Sequence, residues 1–311
     1  MKKALVLSGG TMRGAFQAGA LADILTSASF APEAIYGTSV GSLNGAFLAD
    51  RAGRAAAKGQ SPDWVEIGNA LQKFWLTEVT SFDKIGERRG GVGLLFSVLF
   101  NEFNGFVDTA PLRQLIRQEI NIENLRRSPA KFFACAVNIF TSETVYASVD
   151  RHAEKMHDFI LASAAIPGVM PLVMIGNAPY VDGGIREVAP LRQAIHDGAD
   201  EIVCILCQTE KMAHEKFDHR NVIDLMTRLM DIVINETVNN DIETCRKINT
   251  RLDDAPKPIT AAALQGKRKI NLQVIRPALP VDIELENFTS QQVKAALRAG
   301  WEASQRIRRP G

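Results

Sequence analysis

The stretch AIYGTSVGSLNGAF, residues 34–47, shows how the chain begins to fold. Ala34–Tyr36 is a short apolar run typical of a buried strand, and the small residues of Val40–Ala49 favour a helix. Upstream, Ala4–Leu7 is another apolar run, and Ala15–Leu25 has apolar residues at helical spacing. A chain that runs strand, turn, helix, strand, turn, helix is typical of a parallel sheet covered by helices.

Later segments continue this alternation. Strands are predicted at residues 131–140, 144–148, 172–175, 180–181, 201–206 and 269–275, and helices at 64–76, 157–166, 190–196, 221–248 and 289–308. The first two of these strands are expected to pair as a hairpin. Residues 52–61, rich in alanine, glycine and polar residues, are predicted to form an exposed loop. The expected fold class is α/β, a three-layer α/β/α arrangement with a mainly parallel central sheet.

The composition limits the classes of partner. The chain has 311 residues, and 36 basic residues against 35 acidic ones leave a net charge of +1. Nucleic-acid-binding proteins carry a clear excess of positive charge, so this balance argues against nucleic acid. No apolar run reaches the ~18 residues of a spanning helix, and the run that follows Met1 is too short for a signal peptide. A cytoplasmic protein is therefore expected.

The cysteines, Cys135, Cys204, Cys207 and Cys245, are too few and too scattered for a disulfide framework. Cys204 and Cys207 have C-x-x-C spacing, but they lie in the apolar run EIVCILC. Residues three apart on a strand face opposite sides of the sheet, so these two thiols would not share a metal ion. Reduced structural thiols and no metal site are expected.

The segment Gly90–Phe106, GGVGLLFSVLFNEFNGF, is apolar, aromatic and bracketed by glycines. It is too short to span a bilayer. One interpretation is a core helix. The other is a mobile lid or lipid-facing flap, because flanking glycines can act as hinges. The sequence leaves both interpretations open.

Residues 37–41, GTSVG, match G-x-S-x-G, the pattern of a nucleophile elbow. In an elbow the serine lies on a strained, crowded turn between a strand and a helix, which requires small residues two before and two after it. Gly37 and Gly41 meet that requirement, and the flanking elements are predicted in the right order. Ser39 is therefore a candidate nucleophile, although the pattern by itself also fits a plain strand–helix junction.

A serine nucleophile needs a base, and the histidines are poor candidates. They are His152, His157, His196, His214 and His219, and none follows an apolar strand run. Asp182 does follow one, and it precedes Gly183 and Gly184, which allow close backbone approach to another element. Burial would raise the pKa of its carboxyl group towards a value useful for a base. The alternative is that Asp-Gly-Gly forms only a turn.

A glycine-rich loop, Ser8-Gly9-Gly10-Thr11-Met12-Arg13-Gly14, follows the first predicted strand. Its glycines expose backbone N–H groups, and the following helix adds its positive end. Such a loop holds an anion, either a bound phosphate or a developing oxyanion. A dinucleotide site would require G-x-G-x-x-G, which this loop does not match.

Together these motifs resemble those of the patatin-like phospholipase family, whose members are lipid acyl hydrolases. The family's G-G-G-x-R-G oxyanion loop, G-x-S-x-G elbow and D-G-G motif correspond to Gly9–Gly14, Gly37–Gly41 and Asp182–Gly184. The stretch ASAAIPG, residues 162–168, is similar to a further family block. The resemblance implies a catalytic domain over residues 4–207, with residues 208–311 as a mostly helical extension packed on the same domain.

The resemblance also implies a mechanism. Asp182 takes the Ser39 proton directly, without histidine, and Ser39 attacks an ester carbonyl. The oxyanion is held by N–H groups from Gly10, Thr11 and Met12, and Arg13 orients the loop or adds positive charge. The implied substrate is a phospholipid or another fatty-acyl ester, cleaved in the manner of a phospholipase A or lysophospholipase, with no cofactor and transient, peripheral membrane contact.

One position departs from the family pattern. Thr11 stands where the family has its third glycine, and a β-branched side chain disfavours positive φ. Three interpretations of function stay open. They are a hydrolase, an acyltransferase on the same fold and, because of Thr11, a weakly active or inactive lipid-binding module.

Overall fold

The computed structural model describes residues 2–26, 30–90, 105–212, 220–255 and 264–308. Its strands are β1 (Lys3–Leu7), β2 (Ala34–Thr38), β3 (Glu87–Arg88), β4 (Val107–Asp108), β5 (Lys131–Asn138), β6 (Thr144–Ala147), β7 (Val173–Ile175), β8 (Ala178–Asp182), β9 (Glu201–Ile205) and β10 (Asn271–Ile275). Its α-helices are α1 (Gly14–Ile24), α2 (Val40–Ala56), α3 (Trp64–Thr77), α4 (Ala110–Glu119), α5 (Ile122–Arg127), α6 (Val149–His152), α7 (Met156–Ser163), α8 (Leu191–His196), α9 (Val222–Asp254) and α10 (Ser290–Arg308). Of the apolar segment Gly90–Phe106, residues 91–104 lie outside the described ranges.

The central sheet of the described chain has eight strands. Its order is β10-β9-β1-β2-β5-β8-β7, and β6 also pairs with β5. The strands β10, β9, β1, β2 and β5 run parallel. By contrast, β6 and β8 are antiparallel to β5, and β7 is antiparallel to β8. The predicted α/β class with a mainly parallel sheet is confirmed, and so is the β5–β6 hairpin.

Both faces of the sheet are buried beneath helices, as expected for strands that are apolar at consecutive positions. On one face Leu5 and Leu7 pack with α1, α2 and α10. On the other face Ala4 and Val6 pack with α8 and α9. The cysteines 204 and 207 fall in these two different clusters, so their thiols lie on opposite faces as predicted.

Helix α10 packs very closely on α1. A Cβ atom at Gly19 would lie 1.8 Å from the carbonyl oxygen of Leu297, and one at Gly300 would lie 1.9 Å from that of Phe16. The two backbones can approach to this distance only because each helix presents a glycine at the crossing. The C-terminal part of the chain therefore adds both a sheet strand, β10, and a packed helix to the same core.

The structure differs from the sequence-based expectation in the segment after Ala49. Residues 52–56 continue α2 instead of forming a loop. Ala52 and Gly53 are buried, and a Cβ at Gly53 would lie 1.7 Å from the carbonyl oxygen of Asn124 in α5. Alanine and arginine, which make up four of these five residues, favour the helix, and Gly53 allows its close packing against α5.

Helices α4 and α5 were not predicted from the sequence. In α4 only Leu112 and Ile116 are buried, and in α5 only Leu125. In α4 the spacing of Leu112, Leu115 and Ile116 is a helical signal that was missed, whereas the single buried position of α5 gives no periodic signal. Within the described ranges, no helix combines the length and apolar character needed to cross a membrane.

Candidate active site

Ser39 lies on a sharp turn between β2 and α2. Its backbone has φ 56° and ψ −129°, a positive φ that is costly for a residue with a side chain. A Cβ at Gly37 would lie 2.4 Å from the carbonyl oxygen of Gly41, and a Cβ at Gly41 would lie 2.3 Å from that of Leu7. The turn thus has the strained, crowded geometry of a nucleophile elbow, and both glycines are required by space.

A second serine supports this turn. The Ser39 N–H donates to Ser163 Oγ at 3.0 Å, and the Ser163 hydroxyl donates to the Cys135 carbonyl oxygen at 2.6 Å. Ser163 therefore links the elbow to β5. Ser163 lies in the stretch ASAAIPG, which is similar to a family block, but no local pattern indicates that it supports the elbow.

The register of the sheet brings Asp182 to the elbow. In β5, Cys135 pairs with Thr38 of β2, and the next residue, Ala136, pairs with Asp182 of β8. One edge of β5 pairs with β6 over residues 134–137. The opposite edge pairs first with β2, as far as Cys135, and then with β8, from Ala136 onwards. The last residue of β8 therefore lies beside Ser39.

The Asp182 carboxyl group is buried, with 5% of the residue exposed. Burial raises its pKa to about 7, and hydrogen bonds from the Ser39 side chain and the Gly184 N–H partly oppose this rise. The Gly184 N–H donates to Asp182 Oδ1 at 2.7 Å, which fixes the carboxylate. A carboxylate with a pKa near neutrality, in contact with a serine hydroxyl, is suited to accept its proton.

The backbone N–H groups of the glycine-rich loop are of two kinds, those that donate to a backbone carbonyl and those that do not. The Gly9 N–H donates to the Val188 carbonyl oxygen at 3.0 Å, and the Arg13 N–H donates to the Gly10 carbonyl oxygen at 3.1 Å. The Gly14 N–H is directed at carbonyls of the preceding turn. The N–H groups of Gly10, Thr11 and Met12 have no backbone acceptor among the described residues. Of the loop positions, these three are therefore the candidate oxyanion donors.

The structure accounts for the residue types at two positions of the loop. A Cβ at Gly10 would lie 2.2 Å from the Cys207 Cβ, so only glycine fits there. Thr11, which replaces the third glycine of the family pattern, has φ 51°. The threonine thus adopts the left-handed conformation that a glycine would take easily, and the path of the loop is kept at a cost in strain of about 1–2 kcal/mol.

The segment after Asp182 joins the elbow to the loop. The Thr38 hydroxyl donates to the Glu187 carbonyl oxygen at 2.9 Å, and the next carbonyl, that of Val188, accepts the Gly9 N–H. Two successive carbonyls therefore hold the ends of β2 and β1 in fixed positions. No sequence pattern indicated these contacts, because they join parts of the chain separated by more than a hundred residues.

Two cavities meet at Ser39. A small one, about 30 Å³, lies beside Asp182 and the loop, and Met230, Asp231 and Ile234 of α9 cover it. A larger one, about 100 Å³, extends from Ser39 between α2, α3 and α4. Its walls are almost entirely apolar and include Leu43, Phe47, Leu71, Phe74, Trp75, Leu112 and Ile116. This second cavity has the shape and chemistry to hold a hydrocarbon chain whose end is at Ser39.

The described histidines lie elsewhere. The His152 ring packs edge-on against Phe159, His157 Nε2 is 2.8 Å from the Ile120 carbonyl oxygen, and His196 is exposed. None of these three lines either cavity at Ser39. The positions 214 and 219 are outside the described residues.

Comparison with known proteins identifies the family. Residues 5–195 match the model of the patatin-like phospholipase family. Because the match covers more than half of the chain, the chain belongs to that family. Membership supports lipid acyl hydrolase activity in general terms.

Individual relatives are distant. The chain is 28% identical over 215 residues to the uncharacterized protein YjjU of Escherichia coli K12, a match that covers 65% of the chain. The chain spans about half the length of that curated relative, 51%. Among solved structures it is similar to VipD from Legionella pneumophila, with a TM-score of 0.42 and 12% identity, over 98% of this chain and 66% of that one.

Proposed function

We propose that this protein is a serine esterase of the lipid acyl hydrolase type, a carboxylic-ester hydrolase in which Ser39 and Asp182 form a catalytic dyad. The observation that carries the proposal is that the sheet register brings the buried Asp182 carboxyl group beside Ser39, in one small cavity with the glycine-rich loop. Burial raises the pKa of that carboxyl group to about 7. The apolar cavity that opens at the same serine supports a fatty-acyl ester as substrate. Phospholipids and lysophospholipids are the substrate class that we propose.

In the acylation step, Asp182 accepts the proton of Ser39 while Ser39 Oγ attacks the ester carbonyl. The negative charge that develops on the carbonyl oxygen is stabilised by N–H groups of Gly10, Thr11 and Met12, together with the positive end of α1, which begins at Gly14. The tetrahedral intermediate then collapses. The alcohol leaves with the proton from Asp182, and the acyl group stays on Ser39.

In the deacylation step, Asp182 takes a proton from water, and the resulting hydroxide equivalent attacks the acyl carbonyl. The same N–H groups stabilise the second oxyanion. The fatty acid is released, and the proton held by Asp182 returns to Ser39 Oγ. One carboxylate therefore serves as base and acid in both steps, for which a pKa close to neutrality is well suited.

Two other functions use the same residues differently. An acyltransferase would pass the acyl group from Ser39 to an alcohol or lysolipid, and the products formed with such an acceptor would reveal it. A lipid-binding module without turnover is the alternative that Thr11 suggests. The positive φ of Thr11 argues against it, since the loop keeps the backbone path that exposes its N–H groups.

The test compares wild type with Ser39→Ala and with Ser42→Ala, a matched serine-to-alanine change three residues along the chain, in the first turn of α2. Each protein is incubated with a fluorophosphonate probe and with p-nitrophenyl esters of increasing chain length. We expect wild type and Ser42→Ala to be labelled and to turn over, and Ser39→Ala to do neither. A folded wild type that neither labels nor hydrolyses any ester would reject the proposal.

A further inference from the structure

We propose that Asp231, on α9, is a positioning residue that orients the oxyanion loop through Arg13. The inference rests on the proposed function and deepens it. Asp231 lies beyond residue 195, where the match to the family model ends. The inference therefore assigns a role in the site to a part of the chain that the family motifs do not include.

The side chain of Arg13 connects the loop to α9. Its Nε donates to the Gly10 carbonyl oxygen at 3.1 Å, and its Nη2 is paired with Asp231 Oδ1 at 2.5 Å. The Arg13 backbone N–H donates to the same Gly10 oxygen, also at 3.1 Å. The two charged side chains are only 14% and 11% exposed. The pair is thus shielded from water, where charge-assisted hydrogen bonds are strong.

The contact with the Gly10 carbonyl decides the direction of a candidate oxyanion donor. The Gly10 carbonyl and the Thr11 N–H belong to one planar trans peptide, so they point in opposite directions. Two donors of Arg13 hold the carbonyl on the side of α9 and the loop backbone. The Thr11 N–H is thereby directed the other way, and Thr11 itself lines both cavities at Ser39.

Asp231 is itself held in place by the packing of α9. Ile234 approaches Gly184, next to the catalytic carboxylate, with 3.6 Å between its Cδ1 and a Cβ built at that glycine. Asn235 Nδ2 donates to the Thr209 carbonyl oxygen at 2.8 Å. The Asp231 carboxylate therefore has a fixed position relative to the site. Without it, the nearly buried guanidinium would lose its ion pair with Asp231 and the orientation that this pair gives it.

The experiment measures kcat and KM separately for ester hydrolysis by the full chain. Asp231→Asn is expected to lower kcat about tenfold, less than the ~10²–10³ caused by complete loss of an oxyanion donor, with KM changed little. Asp231→Glu, which keeps the charge, is expected to recover part of kcat. The control is Glu243→Gln on the same helix, which removes an exposed ion pair with Lys247 and should leave kcat unchanged.

A double-mutant comparison tests whether Asp231 acts through Arg13. If it does, adding Asp231→Asn to Arg13→Gln causes no further loss of kcat, because both changes break the same connection. Losses that multiply, or a wild-type kcat in Asp231→Asn, would overturn the inference.

A second readout does not require activity. The Arg13 amide donates to the Gly10 carbonyl, and we expect Asp231→Asn to reduce its protection from hydrogen exchange while Glu243→Gln leaves it unchanged. If wild type proved inactive, the proposed function would fail, but this exchange measurement would still decide the connection. Unchanged Arg13 protection in Asp231→Asn would overturn it.

Discussion

Replacing Asp182 by asparagine should abolish turnover and also stabilise the folded chain at neutral pH. Burial raises the pKa of Asp182 from 3.8 to about 7. The folded state therefore binds this proton more tightly than the unfolded chain does, and stability falls as the pH rises from the lower value to the higher one. Three pKa units at about 1.4 kcal/mol each give a cost of about 4 kcal/mol once Asp182 is ionised. Asparagine keeps the shape and the acceptor for the Gly184 N–H but carries no charge.

The assay is urea unfolding of wild type and Asp182→Asn at pH values from about 3 to about 8, a range that brackets both pKa values. The difference in the free energy of unfolding between the variant and wild type should increase by up to about 1.4 kcal/mol per pH unit in favour of the variant. This difference should become constant above the pKa of Asp182 in the folded state. Ser39→Ala is the control, because it removes turnover but keeps the buried carboxyl group. A stability difference between Asp182→Asn and wild type that does not change with pH would refute the reasoning.

The same pKa has a kinetic consequence. Only ionised Asp182 can accept the Ser39 proton, so kcat/KM for an ester should rise with pH through an apparent pKa of about 7 and then level off. Measured on a substrate whose own ionisation does not change in this range, the profile reports the free enzyme. A profile already flat well below neutrality would show that Asp182 is not the base or is not buried as described.

Three further changes test other parts of the structure. Thr11→Gly should relieve a positive φ that costs about 1–2 kcal/mol, partly offset by about 0.5–1 kcal/mol of glycine backbone entropy. Urea unfolding should show a small gain in the free energy of unfolding, and a clear loss would contradict the strain at Thr11. Gly300→Ala should cost about 1–3 kcal/mol of unfolding free energy because its Cβ meets the Phe16 carbonyl, and an unchanged midpoint would mean that α10 does not pack on α1 as described. Leu112→Trp should narrow the apolar cavity, so kcat/KM should fall for long-chain p-nitrophenyl esters but not for the acetate; an equal fall for both would place the acyl chain elsewhere.

The sequence by itself predicted the fold class and the candidate dyad for local reasons. Apolar runs mark strands that are buried on both faces, as in β1 and β2. Ser39 between Gly37 and Gly41 marks a crowded turn, in which no residue larger than glycine fits at positions 37 and 41. Asp182 is marked in the sequence because it ends a strand and precedes two glycines. Each of these signals lies within a few residues of the position that it marks.

The tertiary structure decided what no local pattern encodes. Asp182 lies beside Ser39 because β8 pairs with β5 from the point where β2 ends. The local sequence of a strand does not specify which other strand it pairs with. The pKa of about 7 arises from burial by the whole fold. The contact between Arg13 and Asp231 joins residues 218 positions apart. Local sequence sets backbone preferences and marks candidate residues, but distances, burial and charge pairing depend on packing between distant segments, and these determine whether the candidates form a site.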